Sequence, residues 1–348
     1  MKISIVVATY NGGKYILEQL NSFKNQTVCP DEIIISDDGS KDDTVDVINS
    51  FINNCPITTK LLYNDNYHGV TGNFENAARY ATGDLVFFSD QDDVWYPNKI
   101  EETLKAIQKY PDCIGIFSDA DCVDSTLHKF NVTFNDSCWD QFKKLDYDSD
   151  LTCLLKGEDM LDVAIRGNIL GGCCLAIKNK HLQHMFKFCP SIFHDDWLCY
   201  CMFVLGDVVA LNKPLFSYRL HGNNTVGFSN IVSDNKDFTK IIKKFRRKIK
   251  NLPFLFSSNA ERAIYFYEFA MKYGKVTNQM DYVMDLNKRR IVAATSSKLS
   301  GLRLLKQISK ELNQYKTTGY FFECLYLILF SKKKRVKQLS KYIDYFGI

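Results

Sequence analysis

The sequence predicts an α/β fold, with a mostly parallel sheet followed by a helical C-terminal extension. Apolar runs typical of buried strands alternate with segments whose apolar residues recur at helical spacing over about the first 110 residues. Polar residues follow the ends of these strands, where open α/β sheets bind their ligands. From about residue 236 the chain becomes basic, and its apolar residues fall at helical spacing.

Each predicted element in the first part of the chain has its own local pattern. The strands are short apolar runs bounded by glycine, proline or acidic residues, and the helices each have one apolar face. The first half comprises a strand at 3–8, a break at Gly12 and Gly13, a helix through Ile16, Leu20 and Phe23, a strand at 32–36 and a helix from about Lys41 through Val45 and Ile48. The second half comprises a strand at 59–63, a helix around 72–80, a strand at 85–88, a helix after Pro97 through Ile100, Leu104 and Ile107, and a strand at 114–118.

The pattern is less regular after this point. Residues 125–165 are rich in Asp, Asn, Ser and Thr, which is compatible with a partly helical insertion beside a binding pocket or with a solvated loop. A glycine-led strand is predicted at 168–177 and a helix from His194, and two short strands are predicted at 207–211 and 215–218.

Composition narrows the class of protein. The 348 residues are 46% hydrophobic and 24% charged, which is typical of a soluble globular protein, and no apolar run reaches the roughly 20 residues of a membrane span. The N-terminus lacks the layout of a signal peptide, and the 12 cysteines include no C-x-x-C pair. We therefore expect a cytoplasmic protein with reduced thiols. The basic residues lack a readout motif, so nucleic acid is not an expected partner.

Three carboxylates cluster at the end of the strand at 85–88. Asp90, Asp92 and Asp93 fall within four positions, and like charges this close are unfavourable unless a cation neutralises them. Carboxylate oxygens suit Mg²⁺ or Mn²⁺, with substrate phosphates completing the coordination shell. The stretch therefore predicts a metal–diphosphate site, and its alternative is a polar turn after a strand.

Two other strands also end in polar residues. Thr9, Tyr10 and Asn11 follow the first strand, and Asp37 and Asp38 follow the second. A parallel sheet brings these ends to one rim. Either group alone is compatible with an ordinary turn and helix cap, but the order and spacing of all three groups are more specific.

This set of motifs resembles the family 2 glycosyltransferases, which are inverting enzymes with a GT-A nucleotide-diphospho-sugar fold and a Rossmann-like sheet. The matching segments are Val6 to Asn11, Ile35 to Ser40, Asn66 to Asn76 with its two glycines, and Phe88 to Trp95. His194 to Trp197 and Tyr218 to Asn224 resemble the rhamnosyltransferase branch of that family. The resemblance covers roughly residues 1–230, the expected catalytic domain, and leaves 231–348 as a helical, basic region.

The resemblance implies roles for the residues at the first two strand ends. Thr9, Tyr10 and Asn11 would bind the donor nucleotide, with Tyr10 stacking on its base. Asp38 would accept a hydrogen bond from the imide N–H of uracil or thymine.

The resemblance also implies roles for the acidic motif and the late motif. Asp90 would face the ribose or the donor sugar, Asp92 would hold Mn²⁺ or Mg²⁺ on the diphosphate, and Asp93 would assist it or bind the sugar. His221 would be a further ligand of the metal or diphosphate. Arg219 would contact the diphosphate, or else pair with a carboxylate of the rim.

The general base is implied to be Asp195, which would deprotonate the acceptor hydroxyl. Members of the family commonly have an aromatic residue where Asp196 stands, so the adjacent pair leaves Asp196 as the alternative. One of the two could instead cap the helix that begins here.

The expected activity is metal-dependent transfer of a sugar to a hydroxyl of a glycan or lipid-linked acceptor in bacterial surface polysaccharide synthesis. The expected donor is dTDP-rhamnose, with a UDP-hexose as the alternative. Rival interpretations are a haloacid-dehalogenase-type phosphatase using Asp90 and Asp92, a non-catalytic sugar-nucleotide-binding module, and a nucleotidyltransferase that makes sugar nucleotides.

The basic C-terminal third has two interpretations. Residues 240–250 and 320–341 form amphipathic basic segments, which are typical of adhesion to an anionic membrane surface on the inner face of the cell membrane. The alternative is a helical appendage whose charged face is simply solvated.

Overall fold

The computed structural model describes residues 1–65, 67–133, 147–165, 171–221, 261–295, 298–314, 339–340 and 342–347. The chain divides into two compact units, Met1–Val232 and Ser233–Ile348.

The first unit alternates strands and helices through its first half. In chain order its elements are β1 (Ile3–Thr9), α1 (Gly13–Lys24), β2 (Glu32–Asp37), α2 (Thr44–Asn54), β3 (Thr58–Tyr63), α3 (Val70–Ala78), β4 (Leu85–Ser89), β5 (Val94–Trp95) and α4 (Lys99–Lys109). The later elements are β6 (Gly115–Asp124), β7 (Lys129–Thr133), β8 (Thr152–Leu155), α5 (Gly157–Ala164), a 3-10 turn (Gly172–Cys174), β9 (Leu175–Lys178), α6 (Asn179–Leu182), α7 (His194–Leu205) and β10 (Val208–Leu220).

Ten strands of the described residues form one mixed sheet in the order β3-β2-β1-β4-β9-β6-β10-β5, with β7 beside β6 and β8 beside β10. The pairings β3–β2, β2–β1 and β1–β4 are parallel, as the sequence predicted. Strand β9 runs antiparallel to both β4 and β6, and β10 runs parallel to β6. The carboxyl ends of β1, β2, β4, β6 and β10 therefore all reach one rim of the sheet.

The core of this unit lies against the central strands. All seven residues of β1 and all five of β4 are buried, because helices cover both faces of a parallel sheet. Helix α3 is unusual, since eight of its nine residues are buried, including Asn73, Glu75 and Asn76. Buried polar side chains need internal partners, and Asn76 Nδ2 donates to Ser36 Oγ at 2.9 Å while Asn73 Nδ2 donates to the Thr9 carbonyl at 3.0 Å.

Several elements differ from the predicted pattern. Helix α2 begins at Thr44, and the two predicted strands at 207–218 are one strand, β10, with register shifts between Leu211 and Ser217. Proline at 214 explains the misjudged break, because it lacks the N–H that a regular ladder requires. The stretch 125–165 contains β7, β8 and α5 among its described residues, and β9 is preceded by a 3-10 turn.

The described part of the second unit is helical. Residues 261–272 form a helix, followed by α8 (Asn278–Thr295) and α9 (Lys298–Gln314). A cluster of buried apolar residues holds these segments together, and it comprises Ile264, Leu286, Ile291, Ala293, Leu305, Leu339 and Tyr342. Within the described ranges, no helix combines the length and apolar character needed to cross a membrane. The basic segment at 240–250 and almost all of the segment at 320–341 lie outside the described residues.

Candidate active site

The ends of β1 and β4 are fastened together by one amide side chain. Oε1 of Gln91 accepts a hydrogen bond from the Tyr10 backbone N–H at 2.9 Å, and Nε2 donates to the Tyr10 carbonyl at 3.1 Å. Gly12 makes room for this contact, because a Cβ there would lie 2.1 Å from Oε1. The ring of Tyr10 remains 54% exposed, so it is available to a ligand.

Adjacent carboxylates at the end of β2 have different surroundings. Asp37 is buried and accepts hydrogen bonds from Thr9 Oγ1, from the backbone N–H of Gly39 and from the N–H and hydroxyl of Ser40. Its bonds hold the turn together. Asn11 continues this turn, because its N–H donates to Ser40 Oγ and its Oδ1 accepts from Lys41 N.

Asp38 instead faces the loop before α3. Its Oδ1 accepts from Asn64 Nδ2 at 2.7 Å and lies 2.9 Å from Nδ1 of His68, and its Oδ2 accepts from the Gly69 N–H at 2.8 Å. The His68 side chain is 75% exposed, so its contact with Asp38 is the one most open to a competing donor. Residue 66, part of a matched segment, lies outside the described residues.

The predicted metal ligands lie side by side. Nε2 of His221 is 2.7 Å from Oδ2 of Asp92, and the imidazole stacks on the Tyr15 ring with centroids 4.8 Å apart. Two ligand atoms of an octahedral ion with bonds of about 2.1 Å are roughly 3 Å apart, so this pair fits a shared Mg²⁺ or Mn²⁺. The motif at 218–224 thus contacts the acidic motif through His221 and Asp92. Residues 222–224 lie outside the described residues.

Arg219 is buried, and its bonds point into the protein. Its Nε donates to the Asp92 carbonyl at 2.7 Å, one terminal nitrogen donates to the Ser125 carbonyl at 3.0 Å, and the other contacts Glu18. The backbone N–H of Arg219 donates to Oδ1 of Asp93 at 3.1 Å. Arg219 therefore pairs with the Glu18 carboxylate and is hydrogen-bonded to the acidic loop at Asp92 and Asp93.

The acidic loop brings three carboxyl groups together, of which Asp90 and Asp92 are partly exposed. Burial raises the pKa of Asp90 to about 8, and the charges of Asp92 and Asp195 contribute. Burial likewise holds the pKa of Asp93 well above its usual range, with Asp92 and Asp90 adding to the effect. Asp93 is fully buried, and no donor among the described residues reaches its Oδ2.

A third group joins these carboxylates. Ligand atoms of Asp90, Asp93 and Cys173 all lie within 4.8 Å of one another. The hydrogen bond with Cys174, together with burial, raises the pKa of the Cys173 thiol, which therefore adds no negative charge to the carboxyl groups. An unpartnered buried carboxylate oxygen and clustered acidic groups fit a site for a divalent cation.

Asp195 is the predicted general base, and its charge raises the pKa of Asp90. Oδ1 of Asp195 accepts the N–H of Asp196 at 2.9 Å at the start of α7. His194, before it, is buried against the Phe74 ring at a centroid distance of 3.9 Å. Burial lowers the pKa of His194 to about 3, and Gly172 is small enough to face it, since a Cβ there would lie 2.3 Å from Nε2.

Helix α3 connects the end of β1 and the loop before α3 to the loop at 187–192, which precedes α7. Oε2 of Glu75 accepts from the Tyr67 hydroxyl at 2.9 Å and from the Phe188 N–H at 3.1 Å. Thr71 Oγ1 donates to the Ile192 carbonyl at 2.7 Å, and Asn73 Nδ2 donates to the Thr9 carbonyl at 3.0 Å.

The structure thus places the sequence-predicted residues along one rim, and it adds residues that sequence reasoning missed. Gln91, Asn64, His68 and Glu75 are polar residues in loops or in a short helix, where no local pattern marks them. Lys99 was missed because a lysine at the start of a predicted helix is expected to be exposed to solvent. Burial lowers the pKa of Lys99 to about 8, which leaves its ammonium mostly charged at neutral pH.

Known proteins match the same part of the chain. Residues 4–150 match the profile of the family described as "Glycosyl transferase family 2". A protein of Nostoc sp. described as an uncharacterized glycosyltransferase is 32% identical over 227 residues, covering 64% of this chain and 66% of the relative. The dTDP-rhamnosyl transferase RfbG of Shigella flexneri is 28% identical over 235 residues, covering 64% of this chain and 73% of the relative. The matched region is thus about two thirds of the first relative's length.

Solved structures share the fold. The crystal structure of S. aureus TarS 1-349 aligns with a TM-score of 0.54 and 14% identity, covering 100% of this chain and 87% of that one. The crystal structure of the same protein in complex with UDP aligns with a TM-score of 0.53. The likeness confirms the predicted GT-A architecture.

Proposed function

Since this chain belongs to glycosyl transferase family 2, we propose that it is a metal-dependent inverting transferase. It moves a sugar from a nucleoside-diphosphate donor to a hydroxyl of a glycan or lipid-linked acceptor. The observation that carries the proposal is the meeting of the Asp92–His221 pair with Asp90, Asp93 and Asp195 at the carboxyl ends of β4 and β10 and the start of α7. An inverting transfer needs such an arrangement, because positive charge must stabilise the leaving diphosphate and a base must take the proton of the attacking hydroxyl.

The chain's own residues divide this work. Asp195 takes the proton from the acceptor hydroxyl as the oxygen attacks the anomeric carbon, with Asp196 as the alternative. Asp92 and His221 hold a Mn²⁺ or Mg²⁺ ion, which when bound stabilises the negative charge that develops on the diphosphate. Tyr10 lies under the base, and Thr9 and Asn11 hold the turn that presents it. Arg219 keeps the acidic loop in place.

Two observations support the proposed donor, one at the proposed base-binding end of the rim and one from a relative. Asp38 accepts the imide N–H of a uracil or thymine, and a guanine or cytosine presents a different pattern of donors. The similarity to a dTDP-rhamnosyl transferase favours dTDP-rhamnose, with a UDP-hexose as the alternative. A role in bacterial surface polysaccharide synthesis is part of the same proposal.

A thermal-shift panel tests the donor site. The wild-type chain is mixed with dTDP, UDP, GDP or CDP, each with Mn²⁺ or with EDTA. A ligand that binds only the folded state raises the melting temperature, so we expect a Mn²⁺-dependent rise with dTDP or UDP that Asp92→Ala abolishes. Absence of a shift with every nucleotide contradicts a nucleotide-sugar donor and favours the phosphatase.

The phosphatase alternative requires a different ionisation state of Asp90. A nucleophilic Asp90 must be ionised to attack phosphorus, yet burial raises its pKa to about 8. Trapping of an aspartyl-phosphate on Asp90 would support that class over a transferase.

We also propose that the basic segments at 240–250 and 320–341 bind an anionic membrane surface. Vesicles with and without anionic lipid test it, using the full chain and a chain ending at residue 318. Equal partitioning of the two chains contradicts this part of the proposal and leaves the donor site untouched.

A further inference from the structure

Gln91 stands between two carboxylates of the acidic loop, and its amide contacts the backbone of a residue 81 positions earlier. Its Oε1 accepts the Tyr10 N–H at 2.9 Å, and its Nε2 donates to the Tyr10 carbonyl at 3.1 Å. A backbone N–H can only donate and a carbonyl can only accept, so this contact fixes the orientation of the amide. The acidic loop therefore holds both backbone polar groups of Tyr10.

The turn that follows Tyr10 is also held by a second part of the chain. The N–H of Asn11 donates to Ser40 Oγ at 2.8 Å, and the N–H of Gly12 donates to Thr44 Oγ1 at 2.8 Å. These contacts tie the turn to the start of α2 and to the segment before it. The Gln91 amide ties the same turn to the acidic loop, so it sets the position of one relative to the other.

Gly12 provides the space for this amide. Its φ of −105° and ψ of 8° lie in a region that residues with a Cβ also adopt, so the backbone conformation does not require glycine. A Cβ there would lie 2.1 Å from Oε1, 2.4 Å from Cδ and 3.1 Å from Nε2 of Gln91, and these are its three nearest neighbours. An added methyl group would therefore displace the end of a flexible side chain rather than the backbone.

The pairing of the strands does not depend on the amide. Strands β1 and β4 form a direct parallel ladder. Nε2 of Gln19, on α1, donates to Ser89 Oγ at 2.6 Å, and both side chains are buried. Loss of the Gln91 amide should therefore leave the fold intact and free only the position of the turn relative to the acidic loop.

We propose that Gln91 is a positioning residue that fixes the spacing between the turn at 10–13 and the acidic loop, so that the two ends of a nucleoside-diphosphate donor are bound at a preset distance. The clause on the donor rests on the proposed function, in which Tyr10 contacts the base and Asp92 holds the metal on the diphosphate. Two subsites already held at the spacing of their ligand bind it more tightly than subsites that the ligand must first order.

Hydrogen exchange of the full chain in EDTA tests the contact without any ligand. Gln91→Ala removes the acceptor of the Tyr10 N–H, so this amide should exchange about fivefold faster than in the wild type. The amides of β3, at the far edge of the sheet, are the internal control and should keep their rates. An unchanged rate at Tyr10, or an equal rise throughout the sheet, would overturn the proposal.

Two probes in the presence of Mn²⁺ give the readout that a merely structural role would not move. UDP or dTDP reaches both proposed subsites, whereas inorganic pyrophosphate reaches only the metal end. We expect Gln91→Ala to bind the nucleotide about tenfold more weakly and pyrophosphate as the wild type does. Equal weakening of both probes would indicate a general loosening of the acidic loop, and unchanged binding of both would indicate no positioning role. Either result contradicts the proposal.

Gly12→Ala disturbs the same contact from the other side. Its methyl group displaces the amide, so this variant should show a similar loss of nucleotide affinity. In Gln91→Ala the space is free, so the double variant should bind the nucleotide about as well as either single variant. A Gly12→Ala protein that binds like the wild type, or a double variant in which the two losses multiply to about a hundredfold, would overturn the proposal.

The two kinds of measurement separate this proposal from the proposed function. A wild-type chain that binds neither UDP nor dTDP would refute the proposed function, and with it the clause on the donor. Hydrogen exchange at Tyr10 would still decide whether Gln91 positions the turn.

Discussion

The imidazole Nε2 of His221 lies 2.7 Å from the carboxylate Oδ2 of Asp92, across 129 positions of sequence. The stacked ring of Tyr15 fixes the imidazole plane, so the pair is oriented before any ligand arrives. Such preorganisation is what a metal site needs from its surroundings.

The first prediction concerns this pair. His221→Gln and Asp92→Asn each replace one proposed ligand by an uncharged amide, which binds the ion more weakly, so the Mn²⁺ concentration for half-maximal turnover should rise by about 10- to 100-fold. Turnover measured against Mn²⁺ concentration is the test. Tyr15→Phe keeps the stacked ring and serves as the matched control. An unchanged metal requirement in His221→Gln would exclude the histidine as a ligand.

The second prediction separates the two candidate bases. Asp195→Asn should lower kcat by about 10²- to 10⁴-fold, since an amide cannot accept the hydroxyl proton. The thermal shift caused by the donor nucleotide should persist, because donor binding does not need the base. Asp196→Asn is the control and should keep most of its turnover. The reverse result would assign the base to Asp196.

The third prediction concerns base recognition by Asp38. Asp38→Ala should abolish the nucleotide-dependent thermal shift, because the imide N–H loses its acceptor. His68→Ala should instead strengthen nucleotide binding by roughly fivefold, since one hydrogen bond of about 1 kcal/mol no longer competes for Oδ1. Titration by calorimetry compares the two variants. Weaker binding by His68→Ala would show that the histidine contacts the nucleotide itself.

The fourth prediction is a pH dependence of stability. The pKa of His194 is about 3 in the folded chain against 6.5 when unfolded, so the unfolded chain binds the extra proton between these values. The stability from keeping His194 neutral is complete above pH 6.5 and is lost as pH falls. Between pH 6.5 and pH 5 the free energy of unfolding should drop by about 2 kcal/mol.

Chemical denaturation across this pH range checks the slope. His194→Leu keeps an apolar group beside Phe74 and removes the titration, so its stability should vary less with pH. An equally steep slope in that variant would mean that other groups dominate acid unfolding.

The sequence predicted those features that a local pattern of residues indicates. Strand ends followed by polar residues predicted that Tyr10, Asp38 and Asp92 share a rim, because parallel strands end together. The order β3-β2-β1-β4 then needed only right-handed crossovers.

The contacts that complete the site join residues far apart in sequence, and local patterns carry no signal for them. Gln91 stands between two acidic positions without a pattern of its own, yet its side chain makes two hydrogen bonds to the Tyr10 backbone. Lys99 lies at the start of a predicted helix, where a lysine is ordinarily exposed to solvent, and the pairing of β5 with β10 is what surrounds it with aromatic rings. The sequence allowed two interpretations of Arg219, a diphosphate contact or a pairing with a carboxylate, and only the fold shows that its side chain contacts Glu18 and the carbonyls of Asp92 and Ser125.

Helix α3 has a consequence for how enzymes of this design can be altered. Glu75 and Thr71 hold the loop at 187–192, while Glu75 also holds Tyr67 beside the Asp38 pocket. A transplant of the nucleotide-side loop alone would leave a buried carboxylate without its hydroxyl partner. We therefore expect these two segments to be exchangeable between relatives only together, with residues 64–78 and 187–195 moved as one unit.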